Sequence, residues 1–501
     1  MKRAAGILMH ITSLNSPFGI GTLGDAAYKF ADFLRASGQT YWQILPIGPT
    51  SYGDSPYQSF STYAGNPYLI DFDLLRNDGL LNDSDYNQID WGSKQTAVSY
   101  NKIYNSRFIV LRKAYEVFKN QMNHEFNDFL YKNKDWLEDY ALYMAVKSHF
   151  GMISWVQWPD EDIRLRKPSG IKRYSESLSD DIQFWKFVQF KFFEQWTKLK
   201  KYVNSMGIKI IGDIPIYVAM DSADTWSNPD EFWLDENNIP IRVAGCPPDA
   251  FSSSGQLWGN PLYDWTHMKS NGYRWWINRI KGICKFFDIT RIDHFRGFDS
   301  YYAIPYSAKD AKNGEWLSGP GMDFFEKMKK ELGNVEIIAE DLGFLTPGVI
   351  KLVKDTGYPG MKILEFAFDA REESDFLPHN YDKNSVVYTG THDNETVMGW
   401  VKSVAKEDLE FAKKYALLTE GEGYNWGLIR TAYSSVSNIA IIPMQDFLGL
   451  GNDARMNTPS TLGENWIWRI KSDALTKELA NRIKGLTKLY GRVGAELDEI
   501  K

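Results

Sequence analysis

Phe286-Phe287-Asp288-Ile289-Thr290-Arg291-Ile292-Asp293-His294-Phe295-Arg296-Gly297-Phe298 is the stretch from which the fold can be read. Residues 288–292 are mostly apolar or β-branched and run into a polar cluster before Gly297, the pattern of a short buried strand. Asp293 falls where that strand ends. In a parallel barrel or open sheet the strand ends are rigid, face one way and carry loops free to vary, so chemistry collects there. Arg291, two residues back, shares a face with Asp293 because side chains alternate along a strand. A carboxylate held by a guanidinium suits a nucleophile, and equally suits an ion pair after a core strand.

Working outward, similar short apolar runs occupy 4–11, 41–45 and 209–214 before this strand, and 335–339, 361–366, 385–389 and 438–443 after it. Helical patterns separate most of them, as at 25–37, where Ala26, Phe30, Phe33 and Leu34 recur at helical spacing. Eight strands alternating with helices predict an α/β chain folded as a closed (β/α)8 TIM barrel. A length of 501 residues accommodates one such barrel, 1–501, with large insertions. Residues 74–201 are charged and helical in pattern, an insertion between the second and third strands. Residues 217–265 are rich in Gly, Pro, Ser, Asn and Trp without periodicity, which suggests a lid or binding loop. The tail, 472–501, reads as an amphipathic helix with no strand-rich block before it, so no C-terminal β-sandwich is expected. Gly19-x-Gly21-x-x-Gly24 comes too late after its strand for a dinucleotide fingerprint, and the next strand ends in Pro46 instead of an acid; tight turns account for it better.

The net charge of -7 speaks against nucleic acid as a partner, since phosphate binding needs a basic surface. No apolar run of about 20 residues is present to span a membrane, and the basic start is too short for a signal peptide. With only Cys246 and Cys284, neither a disulfide framework nor a thiolate metal site is expected, which points to a reducing, cytoplasmic setting. Aromatic residues make up 15% of the chain, many of them in polar loops where packing does not demand them, and flat rings suit sugar faces. The loop 48–59 interleaves hydroxyls, an amide and rings like the wall of a polar pocket. Trp155, Trp158 and Arg164 could face a cleft, with core packing the favoured role.

If the barrel closes, Asp293, Glu340 and Asp393 sit on one rim, at the ends of the fourth, fifth and seventh strands. Two carboxyl groups flanking a glycosidic bond can cleave it, one as nucleophile or base and the other as proton donor; a separation of about 5 Å gives retention through a covalent intermediate. A third acid nearby raises the donor's pKa by like-charge repulsion and stabilises positive charge on the sugar ring. His392 and His294 suit donation to sugar hydroxyls; either also suits zinc, although no metal-ligand spacing supports it. Acids that only cap helices or pair with arginine are the bland alternative.

Taken together, 291–297 (Arg-Ile-Asp-His-Phe-Arg-Gly), 338–343 (Ile-Ala-Glu-Asp-Leu-Gly), 390–394 (Gly-Thr-His-Asp-Asn) and 55–59 (Ser-Pro-Tyr-Gln-Ser) resemble glycoside hydrolase family 77, the 4-alpha-glucanotransferases or amylomaltases. The resemblance spans nearly the whole chain, although Arg-x-Asp alone is shared with the wider α-amylase clan. It implies Asp293 as nucleophile, Glu340 as general acid/base and Asp393 as transition-state stabiliser. It also implies sugar contacts from Tyr57, Asp213, Arg291, Trp258 and His392, with His294 beside them. A loop near 247–258, carrying Asp249, Phe251, Gln256 and Trp258, would arch over the cleft, and 455–459, with Asn457, would border the acceptor side. Ala250, where the family often has an aromatic residue, and Ser460, where it commonly has glycine, depart from the pattern. The resemblance implies transfer of α-1,4-glucan segments between maltooligosaccharides, with no metal or organic cofactor, by a monomer or small homo-oligomer. A hydrolase on the same barrel and a noncatalytic glucan-binding protein remain as rivals.

Overall fold

Eight parallel strands make the central sheet of the computed structural model, which describes residues 2–248, 253–343 and 345–494. They are β1 (Ala4–Leu8), β2 (Tyr41–Gln43), β3 (Lys209–Pro215), β4 (Ile289–Asp293), β5 (Ile337–Ala339), β6 (Gly360–Ile363), β7 (Ser385–Tyr388) and β8 (Ile439–Pro443). Hydrogen-bonded order runs β6-β7-β8-β1-β2-β3-β4-β5. The Ala339 N–H donates to the Pro359 carbonyl at 3.0 Å, drawing β5 against the entry to β6 and all but closing a (β/α)8 barrel. Strands covered on both faces need apolar residues throughout, which is why Ala-Ala-Gly-Ile-Leu in β1, Ser-Val-Val-Tyr in β7 and Ile-Ala-Ile-Ile-Pro in β8 are buried at every position. The strands are shorter than their apolar runs because the chain turns into 3-10 helices at Ile11–Ser13 and Leu364–Phe366 as it leaves the sheet.

Between β2 and β3 run six α-helices, among them Tyr100–Phe118, His124–His149 and Ser179–Ser205. The two longest pack through rings, Phe129 lying 5.6 Å from Phe190 and 5.5 Å from Phe193. Trp155 and Trp158 are fully buried, the Trp155 Nε1–H donating to the Met220 carbonyl at 2.7 Å, so packing is their role. Gly21 has a packing reason too: a Cβ there would sit 1.8 Å from the Ile11 carbonyl oxygen. The C-terminal helix, Lys477–Leu489, buries Ile483.

The stretch 217–265 is more ordered than its composition suggests. Arg242–Cys246 and Gln256–Pro261 are strands that join Ser300–Pro305 and Glu315–Ser318 in a four-stranded antiparallel sheet. This sheet is built jointly by the excursions after β3 and after β4. Gly and Pro in such short strands hide their alternation, and the β-rich run Ser-Tyr-Tyr-Ala-Ile-Pro at 300–305 is a signal the sequence reading passed over.

Candidate active site

Register brings the first two acids together. Ile292 of β4 lies opposite Ala339 of β5, so the next residues, Asp293 and Glu340, leave the sheet side by side. His294 then adopts φ +53° and ψ 46°, a left-handed turn that costs a non-glycine residue about 1–2 kcal/mol. That turn directs the His294 N–H onto Glu340 Oε2 at 2.6 Å, while the Leu342 N–H donates to Oε1 at 2.9 Å.

Arg291 points to the same face as Asp293. Its Nη2 donates to Asp293 Oδ1 at 3.0 Å and its Nη1 to Asp213 Oδ2 at 2.6 Å, across the β3–β4 pairing that sets Asp213 opposite Arg291. The Tyr57 hydroxyl donates to the same Asp213 oxygen at 2.9 Å, and the Tyr57 ring stacks on His392 at 5.0 Å and 17°. His392 Nε2 lies 3.4 Å from Asp393 Oδ1, which also accepts from Asn457 Nδ2 at 2.7 Å. Tyr57, Asp213, Arg291, Asp293, His392, Asp393 and Asn457 therefore form one connected network. Within it the holding groups are sealed and the acids open: the side chains of Asp213 and Arg291 are 0% and 4% exposed, those of Asp293 and Asp393 30% and 45%.

Gln256, Trp258 and His294 form a neighbouring cluster. The Trp258 Nε1–H donates to Gln256 Oε1 at 3.0 Å, and the Trp258 ring meets His294 edge-on at 4.8 Å. The backbone of His294 joins this cluster to Glu340. Asp249 and Phe251 lie outside the described residues. Sequence reasoning missed Arg455 as an individual contributor: its Nη2 donates to the Asp393 carbonyl at 2.6 Å and its Nε to the Asn457 carbonyl at 2.7 Å. It also missed Tyr217, whose ring packs 6.3 Å from Trp258 and 6.4 Å from His294. Ser460 has φ +63°, the backbone shape that glycine adopts without strain. Among the described residues, no group of three His, Cys, Asp or Glu side chains is placed to hold a metal ion.

The electrostatics separate the acids. Burial, reinforced by the charge of Asp293, pushes Glu340 up to about 7 against the opposing pull of Arg291 and the two backbone N–H groups. Burial also acts to raise Asp393, but His392, Asn457 and Arg291 outweigh it and hold that carboxyl at about 2. Burial disfavours the imidazolium of His392, yet its contact with Asp393 keeps its pKa above the usual value; His294, buried beside Arg296, is lowered to about 3 and stays neutral. Asp213 is raised to about 6 by burial despite Arg291.

An arginine-bound Asp293 beside Glu340, whose proton is held to near neutrality, at the C-terminal rim of a (β/α)8 barrel that also carries the ionised Asp393, matches what breaking a sugar acetal demands, and so defines a class: barrel enzymes that act on glycosidic bonds. Comparison with known proteins narrows it. Residues 9–476 match the family model described as 4-alpha-glucanotransferase, and the chain belongs to that family. It is 54% identical to a 4-alpha-glucanotransferase of Clostridium butyricum over 97% of this chain and 100% of that one. It is 50% identical to one from Streptococcus pneumoniae over 100% and 99%. An amylomaltase from Streptococcus agalactiae, solved in complex with acarbose, superposes with a TM-score of 0.97 at 43% identity, covering 98% of this chain and 100% of that chain.

Proposed function

We propose that this chain transfers α-1,4-glucan segments from a donor to the 4-hydroxyl of an acceptor glucan or glucose, by double displacement with retention. Asp293, held by Arg291, attacks the anomeric carbon. Glu340 gives its proton to the departing glycosidic oxygen, and the shortened glucan leaves with that proton. The 4-hydroxyl of an acceptor sugar then attacks the glycosyl–Asp293 ester, Glu340 takes up the hydroxyl proton, and the new α-1,4 bond releases Asp293. Asp393, ionised down to about pH 2, faces the positive charge that develops on the ring. Tyr57, His392, His294 and Asn457 hold the sugar hydroxyls, and Asp213, sealed beneath them, holds Tyr57 and Arg291 in place.

The observation that carries this reading is the contrast between an arginine-bound Asp293 and a Glu340 half-protonated near neutrality, on adjacent strands. Transfer outruns hydrolysis when water is kept from the ester while an acceptor is held. The chain is one catalytic barrel, in which 74–201 is a helical subdomain and 217–265, with Gln256 and Trp258, covers the cleft; 455–459 borders the acceptor. It works on free maltooligosaccharides in the cytoplasm as a monomer or small homo-oligomer, without a cofactor. Supporting this, no described helix is long and apolar enough to cross a membrane.

Incubation with maltotriose tests the reading. Glucose appearing together with maltopentaose and longer products is expected. Accumulation of only glucose and maltose would replace transferase with hydrolase, and no turnover at all would favour a binding protein.

A further inference from the structure

Away from the rim, the helices His124–His149 and Arg274–Phe286 leave a groove between them, closed at one end by Ser61 and Tyr63, that encloses about 340 Å3. Residues 132, 133, 136, 139 and 140 on one helix, and 274, 278, 281, 282 and 285 on the other, recur at helical spacing and line it. Apolar side chains on those two faces would have sealed them together. Instead the faces mix amides and charges with the rings of Trp136, Tyr140, Trp275 and Phe286, and the space stays open within the usual range of small-molecule pockets, about 300–1,000 Å3.

Two features describe what would fill it. The half-buried rings of Tyr63 and Trp136 lie nearly parallel, 16° apart with centroids 6.1 Å apart, and Gly282 lets Tyr63 lie against its helix, since a Cβ there would sit 3.0 Å from that ring. The charges oppose each other: Lys132, Arg274, Lys281 and Lys285 line the groove, and so do Asp135, Asp139, Asp224 and Glu231. Balanced charge gives an anion no advantage, whereas aromatic faces beside amides such as Asn133 and Asn278 suit a neutral polyhydroxylated ring.

The segment 57–63 runs from the network of the proposed catalytic site, at Tyr57, to this groove, at Tyr63. Ser61 lines both this groove and a smaller cavity that includes Tyr57 and Asp213. The intervening loop is fixed, because the Thr62 N–H and Oγ1–H donate to Asp224 at 2.8 and 2.6 Å and the Ala223 N–H donates to the Phe60 carbonyl at 2.8 Å. We propose that this groove is a second binding site for an α-glucan segment, stacked on Tyr63 and Trp136 and hydrogen-bonded by Asn278. It retains long chains near the cleft and leaves short substrates unaffected. The inference rests on the glucan-transfer reading for its choice of sugar.

The test compares amylose with maltotriose as substrate for Trp136→Ala and Asn278→Ala in the full chain. Expected are a KM for amylose raised roughly fivefold by Trp136→Ala and about threefold by Asn278→Ala, with maltotriose kinetics unchanged. Asn278 is exposed with no structural hydrogen bond, so its variant decides the matter if Trp136→Ala fails to fold. Unchanged amylose KM in the folded variants overturns the proposal, as does an equal rise in the KM for maltotriose. If the wild type leaves maltotriose untouched, the transfer reading fails by itself. The groove is then judged by titrating maltoheptaose into wild type and Asn278→Ala: weaker binding by the variant supports it, equal binding overturns it.

Discussion

Glu340→Gln is the sharpest probe of the chemistry, because the side chain keeps its shape and loses its proton. An ordinary glutamic acid, near 4.5, is about 0.3% protonated at pH 7; raised to about 7, Glu340 is about half protonated. Its environment therefore multiplies the acid form at neutral pH by roughly 150-fold. A positioned general acid/base typically contributes about 10²–10⁴-fold, so glucose release from maltotriose by the variant should fall by that factor at pH 7. The sign of the pH dependence follows from the raised pKa: the proton is present below about 7 and lost above it, so wild-type kcat/KM should decline tenfold per pH unit on the alkaline side. The variant's residual activity should show no bend there. α-Maltosyl fluoride, whose leaving group needs no proton, should restore much of the variant's first step. Activity within tenfold of wild type, or a bend near pH 7 surviving the substitution, would refute the assignment.

Asp393→Asn removes the charge that opposes burial at His392, so the His392 pKa, followed by NMR titration, should drop below that of wild type, and turnover should fall roughly 10²–10³-fold; an unmoved His392 contradicts the pairing. Trp258→Ala opens the cluster beside His294 and should raise the share of free glucose and maltose over transfer products, an outcome that unchanged product ratios would exclude. Gly212 precedes Asp213 in β3, and a Cβ there would lie 2.0 Å from the Phe287 ring; Gly212→Ala should cost about 1–3 kcal/mol by denaturant unfolding, and an unshifted midpoint would show that the ring moves aside freely.

The barrel was legible because each of its strands carries its own evidence. A strand buried on both faces is mostly apolar or β-branched, and that pattern can be read locally in 4–8, 385–388 or 439–443 without knowing what lies beside them. The antiparallel sheet was not legible. Arg-Val-Ala-Gly-Cys at 242–246 acquires strand structure only by pairing with Ser300–Pro305, which arrives after β4, and with Gln256–Pro261, whose Gly and Pro break the alternation. Arg455 was hidden for a related reason. Its two hydrogen bonds run to backbone carbonyls of Asp393 and Asn457, and a carbonyl acceptor leaves no mark in the sequence it belongs to.

The same distinction runs through the site. Arg291 and Asp293 are two residues apart on one strand, so their contact is fixed by strand geometry and could be anticipated from Arg-x-Asp alone. The grip of Arg291 on Asp213 depends on the β3–β4 register, which neither segment encodes by itself; a slip of one residue would turn Asp213 out of the barrel. The guanidinium is thus shared between a sealed acid and an open one. Asp213 occupies Nη1 and leaves only Nη2 for Asp293, so Arg291 holds Asp293 through a single hydrogen bond. An aspartate bound by both nitrogens of an arginine would be a poorer nucleophile, because its charge would already be spent. The register of two barrel strands, and not the proximity of arginine alone, is what leaves Asp293 both held and available.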